Sequence, residues 1–251
     1  MNAVEEVATL AGNFAMSHYR KPLDVDLKQD GSPVTVADRG AERLAREWIE
    51  ARFPNDGIVG EEFDDVRPDA KRRWIIDPID GTKSFIRRVP LWGTLIAVAE
   101  GDSVLAGCAY FPAIGETVAA ALGEGCFWNR STCGVSSESA IDRSTVLTTD
   151  DCFPNRVDRS AAWRTLAGQA GVARTWGDCF GYLLVATGRA EAMLDDVVAP
   201  WDAAALYPII TEAGGVFTDW LGNPTPFGGD VIATNAALAR SVRQILIPAS
   251  S

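Results

Sequence analysis

Two acids that could bind a metal ion stand close together near the end of the first third of the chain. The stretch from Trp74 to Phe85 reads WIIDPIDGTKSF, so three large apolar residues lead directly into Asp77. This pattern predicts a buried strand that Pro78 ends, because proline has no N–H to donate to a neighbouring strand. Asp77 and Asp80 should then point at one spot beyond the carboxyl end of the strand.

The residues that follow Asp80 favour the binding of an anion. Gly81 lets a ligand approach the backbone closely. Thr82 to Phe85 predict a short helix whose free amides face the same spot. Two carboxylates, free amides and a hydroxyl suit a divalent metal ion that holds a phosphate. The alternative from the local sequence is an ordinary Asp-Pro turn followed by a polar turn into a helix.

Two further acids lie at the ends of predicted elements, where functional groups tend to occur. Glu61 follows a short apolar run, and Asp202 lies in the first turn of a helix. If these acids converge with the first two, each pair of charges at 4 Å repels by about 4 kcal/mol at an effective dielectric of 20. Bound cations would then be needed, and oxygen ligands suit Mg²⁺. A further acid, Asp38, lies in the first turn of another helix, where the local sequence predicts that it caps the helix.

The composition excludes several classes of protein and site. The chain has 251 residues and a net charge of −11, which argues against a general nucleic-acid or anionic-membrane surface. No apolar run is long enough to span a membrane, and the N-terminus does not read as a secretory signal. The single histidine, His18, excludes His-rich zinc sites. Five cysteines without a C-x-x-C pair predict reduced thiols and a cytoplasmic protein.

Residues 1–135 are predicted to form an α+β half. Asp30-Gly31 is a favoured hairpin pair, and Gly101-Asp102 is expected to turn between two strands of an antiparallel meander. The predicted helices cover residues 3–20 and 37–53. The predicted strands cover residues 23–28, 58–59, 74–77, 93–99, 104–111 and 117–122.

Residues 136–251 are predicted to form an α/β half, because strands and helices alternate along them. A stretch rich in Gly, Ser and Thr, residues 123–144, marks the boundary. The predicted strands cover residues 146–148, 172–176, 191–194 and 216–219. The predicted helices cover residues 156–170, 178–187, 200–213 and 235–246.

Three motifs in order resemble the inositol monophosphatase-like family of lithium-sensitive, Mg²⁺-dependent phosphatases. They are Gly60-Glu61-Glu62, the DPIDGT run from Asp77 to Thr82, and Trp201-Asp202 followed by Ala204-Ala205. The match runs from about residue 28 to 220. It implies a phosphoric monoester hydrolase with the layered αβαβα sandwich of the sugar phosphatases, commonly a homodimer. A catalytically silent regulator that binds a metal or a phosphorylated ligand is the alternative from another class.

The resemblance also implies roles for the matching residues. Asp38, Thr82 and Glu61 correspond to catalytic residues, with the Thr82–Asp38 couple orienting and deprotonating the attacking water. Gly81, Thr82 and Lys83 correspond to substrate-binding residues. The implied ligands of two or three Mg²⁺ ions are Glu61, Asp77, the carbonyl of Ile79, Asp80, Thr82 and Asp202.

The wider sequence around these motifs is most similar to the histidinol-phosphate phosphatase branch. The runs that carry this likeness are TKSF from Thr82, PLWGTLIA from Pro90, WGDCFGY from Trp176 and APWD from Ala199. The expected substrate is L-histidinol phosphate, a small phosphorylated metabolite. Inositol 1-phosphate and a 3'(2'),5'-bisphosphate nucleotide are the alternatives within the family.

Two acids are candidates to contact the cationic groups of histidinol phosphate. They are Asp178 and Asp195, whose alternative roles are a helix cap and a solvated loop acid. Arg88 and Arg130 depart from the small residues often found at their positions in the branch.

Overall fold

The computed structural model describes residues 1–28, 31–153 and 156–247. The predicted hairpin pair Asp30-Gly31 lies partly outside these ranges, because Asp30 is not among the described residues. Within them, no helix combines the length and the apolar character that crossing a membrane requires.

The first half of the chain builds a seven-stranded sheet in sequential order, from β3 at one edge to β9 at the other. The β3–β4 pair is parallel, and every later pair is antiparallel. The strands are β3 (Gly57–Gly60), β4 (Arg72–Asp80), β5 (Gly93–Glu100), β6 (Ser103–Phe111), β7 (Glu116–Ala121), β8 (Gly125–Trp128) and β9 (Ser131–Thr132). A separate pair, β1 (Val25–Leu27) and β2 (Pro33–Thr35), is antiparallel. The helices are α1 (Asn2–His18), α2 (Val36–Arg52) and the short α3 (Thr82–Ile86).

The second half builds a five-stranded mixed sheet in the order β11-β10-β12-β14-β13. Its strands are β10 (Thr145–Thr148), β11 (Val172–Arg174), β12 (Ala192–Asp195), β13 (Val216–Thr218) and β14 (Val231–Thr234). Its helices are α4 (Val157–Gln169), α5 (Asp178–Ala186), α6 (Pro200–Ala203), α7 (Leu206–Glu212) and α8 (Ala239–Leu246), with a 3₁₀ turn at Ile141–Arg143.

Alternate side chains of each sheet enter different apolar clusters, which defines five layers. In β4, Trp74 and Ile76 pack with α1 and α2, whereas Ile75 packs with α5 and α7 between the two sheets. In β12, Met193 joins that middle cluster, whereas Leu194 packs with α4 and α8 on the outer side. The sheets are therefore buried on both faces, and the predicted αβαβα sandwich is confirmed.

Pro78 does not end β4, contrary to the expectation from sequence. The strand continues to Asp80, and its pairing with β5 shifts between Asp77 and Asp80. The Thr94 hydroxyl donates to the carbonyl of Pro78 at 2.8 Å. A local irregularity accommodates the proline, as β-bulges do.

The helix predicted over residues 200–213 is two helices, α6 and α7. Pro208 explains the break, because it has no N–H to donate to the carbonyl of Ala204 and its ring crowds that carbonyl. The turn between the helices lies close against β6, where a Cβ on Gly107 would lie 2.2 Å from the carbonyl oxygen of Ala205.

Four short strands, β2, β8, β9 and β14, had no counterpart in the sequence predictions. Arg88 and Arg130, the two departures noted above, both have left-handed backbones with φ of 65° and 67°. Glycine adopts this conformation without strain, which explains why small residues suit these positions.

Candidate active site

Three carboxylates meet at the end of β4. Asp77 and Asp80 come from the irregular end of that strand, and Asp202 comes from the first turn of α6. One oxygen from each lies within 4.8 Å of the others. The Ala199 N–H holds the Asp202 carboxylate at 2.7 Å, and the Ile79 N–H holds that of Asp77 at 3.0 Å.

Burial and mutual repulsion make these carboxylates hard to ionise together. Burial raises the pKa of Asp77, and the charges of Glu61, Asp80 and Asp202 raise it further. The pKa of Asp80 is also raised, by burial and then by Asp178 and Asp202, although it accepts a short hydrogen bond from the Cys179 N–H.

The pKa of Asp202 rises to about 6, again chiefly because it is buried. No ion pair within the described ranges neutralises Asp77, Asp80 or Asp202. Hard oxygen ligands that lie close together and are not neutralised by a lysine or arginine suit a divalent metal ion.

Glu61 lies beside this triad and forms an ion pair with Lys28. The Lys28 ammonium donates to Glu61 Oε1 at 2.6 Å and to Glu62 Oε1 at 2.7 Å. Burial lowers the pKa of Lys28, but the two glutamates outweigh this effect and the net pKa is raised. Glu61 is also close enough to Asp77 to raise the pKa of that acid.

Asp38 performs its predicted capping role and also contacts Thr82. Asp38 Oδ2 accepts from the Thr35 N–H at 2.8 Å and from the Thr35 hydroxyl at 2.6 Å. Asp38 Oδ1 accepts from the Thr82 hydroxyl at 3.2 Å, and that hydroxyl also lies 2.9 Å from the carbonyl oxygen of Ile79. Burial raises the pKa of Asp38, against the lowering effect of the Thr35 hydrogen bonds.

Gly81 is needed where α3 begins. Its φ is 86°, and a Cβ there would lie 2.8 Å from the carbonyl oxygen of Leu91 and 3.1 Å from Asp178 Oδ2. Asp178 is itself left-handed, with φ of 50°, a conformation that is uncommon outside glycine and is often found at functional sites. Burial raises the pKa of Asp178 to about 6, against the lowering effect of Lys83.

Asp195 lies at the end of β12 and is buried, so the solvated-loop alternative is wrong. Its Oδ2 accepts from the Tyr182 hydroxyl at 2.7 Å, and its backbone carbonyl accepts from Trp220 Nε1 at 3.1 Å. Burial raises the pKa of Asp195 to about 7, although the hydrogen bonds from Thr149 and Tyr182 lower it.

A cleft of about 280 Å³ extends from the triad over Asp178 and Asp195. Six of its lining residues are aspartates, and no described lining residue is a lysine or arginine. They are Asp80, Asp150, Asp178, Asp195, Asp196 and Asp202.

Sequence reasoning missed Asp150 and Asp196 in the cleft and Lys28 at Glu61. Asp196 follows a strand end directly, which was a usable signal. Lys28 also follows a strand end directly, whereas Asp150 lies in a loop, and only the tertiary fold places either residue at the site.

The comparisons with known proteins agree with this geometry. The Inositol monophosphatase family matches residues 1–247. The chain belongs to this family.

Relatives in sequence and in structure cover nearly the whole chain. A histidinol-phosphatase from Chlorobaculum parvum is 43% identical over 239 residues, which cover 94% of this chain and 92% of that protein. A histidinol-phosphatase from Streptomyces coelicolor is 36% identical and covers 86% of this chain and 84% of its own. The crystal structure of the extragenic suppressor protein suhB from Bartonella henselae superposes with a TM-score of 0.93 at 27% identity, covering 100% of this chain and 99% of that chain.

This family member is a phosphoric monoester hydrolase, as the family and its histidinol-phosphatase relatives indicate. The family depends on metal ions, usually Mg²⁺, and the Asp77–Asp80–Asp202 triad is an acidic cluster that could hold one. The substrate is a small phosphorylated compound.

Proposed function

We propose that this protein hydrolyses L-histidinol phosphate to L-histidinol and phosphate in a Mg²⁺-dependent reaction. The observation that carries the proposal is the acidic cleft beside the triad, where Asp150, Asp178 and Asp195 have no ion pair within the described ranges. A fourth aspartate of the cleft, Asp196, is paired with Arg159 at 2.7 Å. The two relatives named as histidinol-phosphatases support it.

The charge of the cleft selects between substrates of the family. The leaving group of histidinol phosphate carries an ammonium and an imidazole, and hydrogen bonds from charged donors to carboxylates are among the stronger ones in proteins. Inositol offers no cation to these acids. A bisphosphate nucleotide would bring a second phosphate into the same negative field, and the Coulomb repulsion would weaken its binding.

The proposed magnesium ligands are Glu61, Asp77, the Ile79 carbonyl, Asp80, Thr82 and Asp202, for two or three ions. When bound, such ions neutralise developing negative charge and lower the pKa of water. The Lys28 ammonium lies 2.6 Å from Oε1 of Glu61 and therefore competes with an ion for that oxygen.

The proposed catalytic couple is Asp38 with Thr82. Thr35 fixes one oxygen of Asp38, and the other competes with the Ile79 carbonyl for the single proton of the Thr82 hydroxyl. Once the Ile79 carbonyl binds an ion, as proposed above, Asp38 is left as the acceptor. A hydroxyl that donates to Asp38 presents its lone pairs to a water molecule and can accept a proton from it. The raised pKa of Asp38 makes it a stronger base than an exposed aspartate, which general base catalysis requires near neutral pH. Glu61 completes the proposed catalytic set, and Gly81 and Lys83 are proposed to contact the phosphate.

Phosphate release from four esters tests the proposal: L-histidinol phosphate, inositol 1-phosphate, 3'-phosphoadenosine 5'-phosphate and fructose 1,6-bisphosphate. We expect a clear preference for histidinol phosphate in kcat/KM. Asp150→Asn should raise KM for histidinol phosphate and leave inositol 1-phosphate turnover unchanged, since only the first substrate carries a cationic group. Asp151→Asn is the matched control, because Asp151 is exposed and does not line the cleft. A preference for another ester would contradict the proposed substrate. Absence of turnover with every ester would favour the catalytically silent alternative.

We further propose a cytoplasmic homodimer that lithium inhibits, on the family resemblance. A division of the chain near residue 135 is proposed on the two sheets, because the first ends at Thr132 and the second begins at Thr145.

A further inference from the structure

Two cysteines face each other across the last hairpin of the seven-stranded sheet. Cys126 lies in β8, and Cys133 directly follows β9. The connecting turn is Asn129-Arg130, and both residues have positive φ, 48° and 67°. Two left-handed residues define the tight hairpin turn that fits the twist of the strands, and such a turn fixes the register.

The register places the two thiols in contact. Phe127 pairs with Thr132, and one step further the Cys133 N–H donates to the Cys126 carbonyl at 3.0 Å. Directly opposed residues of an antiparallel pair have Cα atoms about 4.5–5.5 Å apart, within the roughly 4.4–6.8 Å that disulfides span. The sulfur atoms lie 3.5 Å apart, so the side chains already point at each other.

The two thiols differ in access and in acidity. Cys126 is buried in the cluster between the sheets, whereas Cys133 is only partly buried. The hydrogen bond between them lowers the pKa of Cys133 and raises that of Cys126. Cys133 is therefore the thiol that an external oxidant reaches and that more readily forms the reactive thiolate.

We propose that Cys126 and Cys133 are a reversible oxidation site that closes to a disulfide with a peroxide. Cys133 loses its proton, and the thiolate attacks one oxygen of hydrogen peroxide. The O–O bond breaks to give a sulfenic acid and a hydroxide, which takes up the released proton and leaves as water. The Cys126 thiol then attacks the sulfenic sulfur, and a second water leaves. Two thiols and one peroxide thus give one disulfide and two waters, consistent with general cysteine chemistry.

The bond would anchor the point where the chain leaves the first sheet. Two residues after Cys133, the Val135 N–H donates to the Ala213 carbonyl at the end of α7. Glu212 of the same helix accepts from the amides of Gly123 and Gly125 at the start of β8. Oxidation would therefore add a covalent bond to the β8–β9 hairpin, which already makes hydrogen bonds to α7 at both ends.

Peptide mapping of the full-length protein after a brief hydrogen peroxide treatment tests this site. Trypsin cleaves after Arg130, so the peptides 89–130 and 131–143 remain joined only if a disulfide links them. We expect the joined species, lighter by two hydrogens than its reduced parts, and its loss on treatment with dithiothreitol. The bond should raise the midpoint of thermal unfolding by roughly 5 °C, from the entropy of the short loop it closes.

Cysteine variants identify which thiol takes part. Cys126→Ser and Cys133→Ser should each abolish the joined species. Cys108→Ser should leave it intact, because Cys108 packs in the cluster on the opposite face of the sheet. Exposed Cys152 is the internal control for delivery of the oxidant. Oxidation of Cys152 without the joined peptides, or a joined species that depends on Cys108, would overturn the proposal.

Discussion

Replacing Asp80 by asparagine should remove activity and at the same time stabilise the metal-free protein. Asp80 has a carboxylate oxygen within 4.8 Å of one from each of Asp77 and Asp202. Each pair of charges at that distance repels by about 3 kcal/mol at an effective dielectric of 20. Asparagine removes both repulsions and keeps an oxygen that can accept from the Cys179 N–H.

Protonation limits how much of this repulsion the protein retains. An aspartate that titrates near 3.9 when free takes up a proton at about pH 7.5 for roughly 5 kcal/mol. The charge repulsion that Asp80 retains cannot exceed this protonation cost. We therefore expect Asp80→Asn to raise the free energy of unfolding by less than that limit, about 3 kcal/mol. For a chain of this size the gain corresponds to roughly 6–12 °C in the thermal midpoint.

The assay is thermal unfolding in EDTA and in saturating Mg²⁺, beside phosphate release. Wild-type protein should gain about 2.7 kcal/mol from Mg²⁺ at a hundred times its dissociation constant, and Asp80→Asn should gain far less. Asp69→Asn is the matched control, since Asp69 is exposed and the charge change is the same. A lower midpoint for Asp80→Asn in EDTA, or an undiminished response to Mg²⁺, would refute the placement of a metal ion at these acids.

Two further predictions concern Lys28 and Asp195. Lys28→Met should lower the Mg²⁺ concentration for half-maximal activity by about tenfold, because a charge-assisted hydrogen bond no longer competes for Glu61. The pair is partly exposed, so the lower end of the usual range, about 1.5 kcal/mol, applies. Lys71→Met, which removes an exposed ion pair with Glu100, is its control, and weaker activation by Mg²⁺ would instead mean that Lys28 positions Glu61. The pKa of Asp195 in the folded protein is about 7, above the ordinary value of an aspartate. The protonated side chain therefore contributes to the free energy of unfolding fully below about pH 4, and this contribution is lost as the pH rises through 7. Asp195→Asn should therefore stabilise the metal-free protein by roughly 3–4 kcal/mol more at pH 8 than at pH 4, and a difference that does not vary with pH in thermal unfolding would contradict this reasoning.

The sequence predicted the acids at strand and helix ends because local chemistry marks such positions. Asp77 and Asp80 follow an apolar run, and Asp202 follows a proline that opens a helix. The spacing of Asp77 and Asp80 was enough to predict a common spot for these two acids, and their oxygens do lie within 4.8 Å of each other. The place of Asp202 beside them was implied by the family resemblance.

Other features depended on contacts between residues far apart in the chain. Lys28 reaches Glu61 only because the tertiary fold brings the residue after β1 beside the residue after β3, and no local pattern signals such a contact. The effect of Pro208 was readable from sequence, because a proline inside a predicted helix interrupts its hydrogen bonds. The continuation of β4 through Pro78 was not, since the bulge depends on its pairing with β5.

The burial of β4 on both faces has a consequence for how the strand finds its partners. Trp74 and Ile76 fill one cluster and Ile75 the other, so a slip of one residue would exchange apolar side chains for apolar side chains. Hydrophobic burial specifies register strongly only where one face is polar. Side-chain volume and the irregular end at Asp77 must therefore select the native pairing. A misaligned β4 would keep most of its buried area but carry Asp77 away from Asp202, giving a compact and inactive protein.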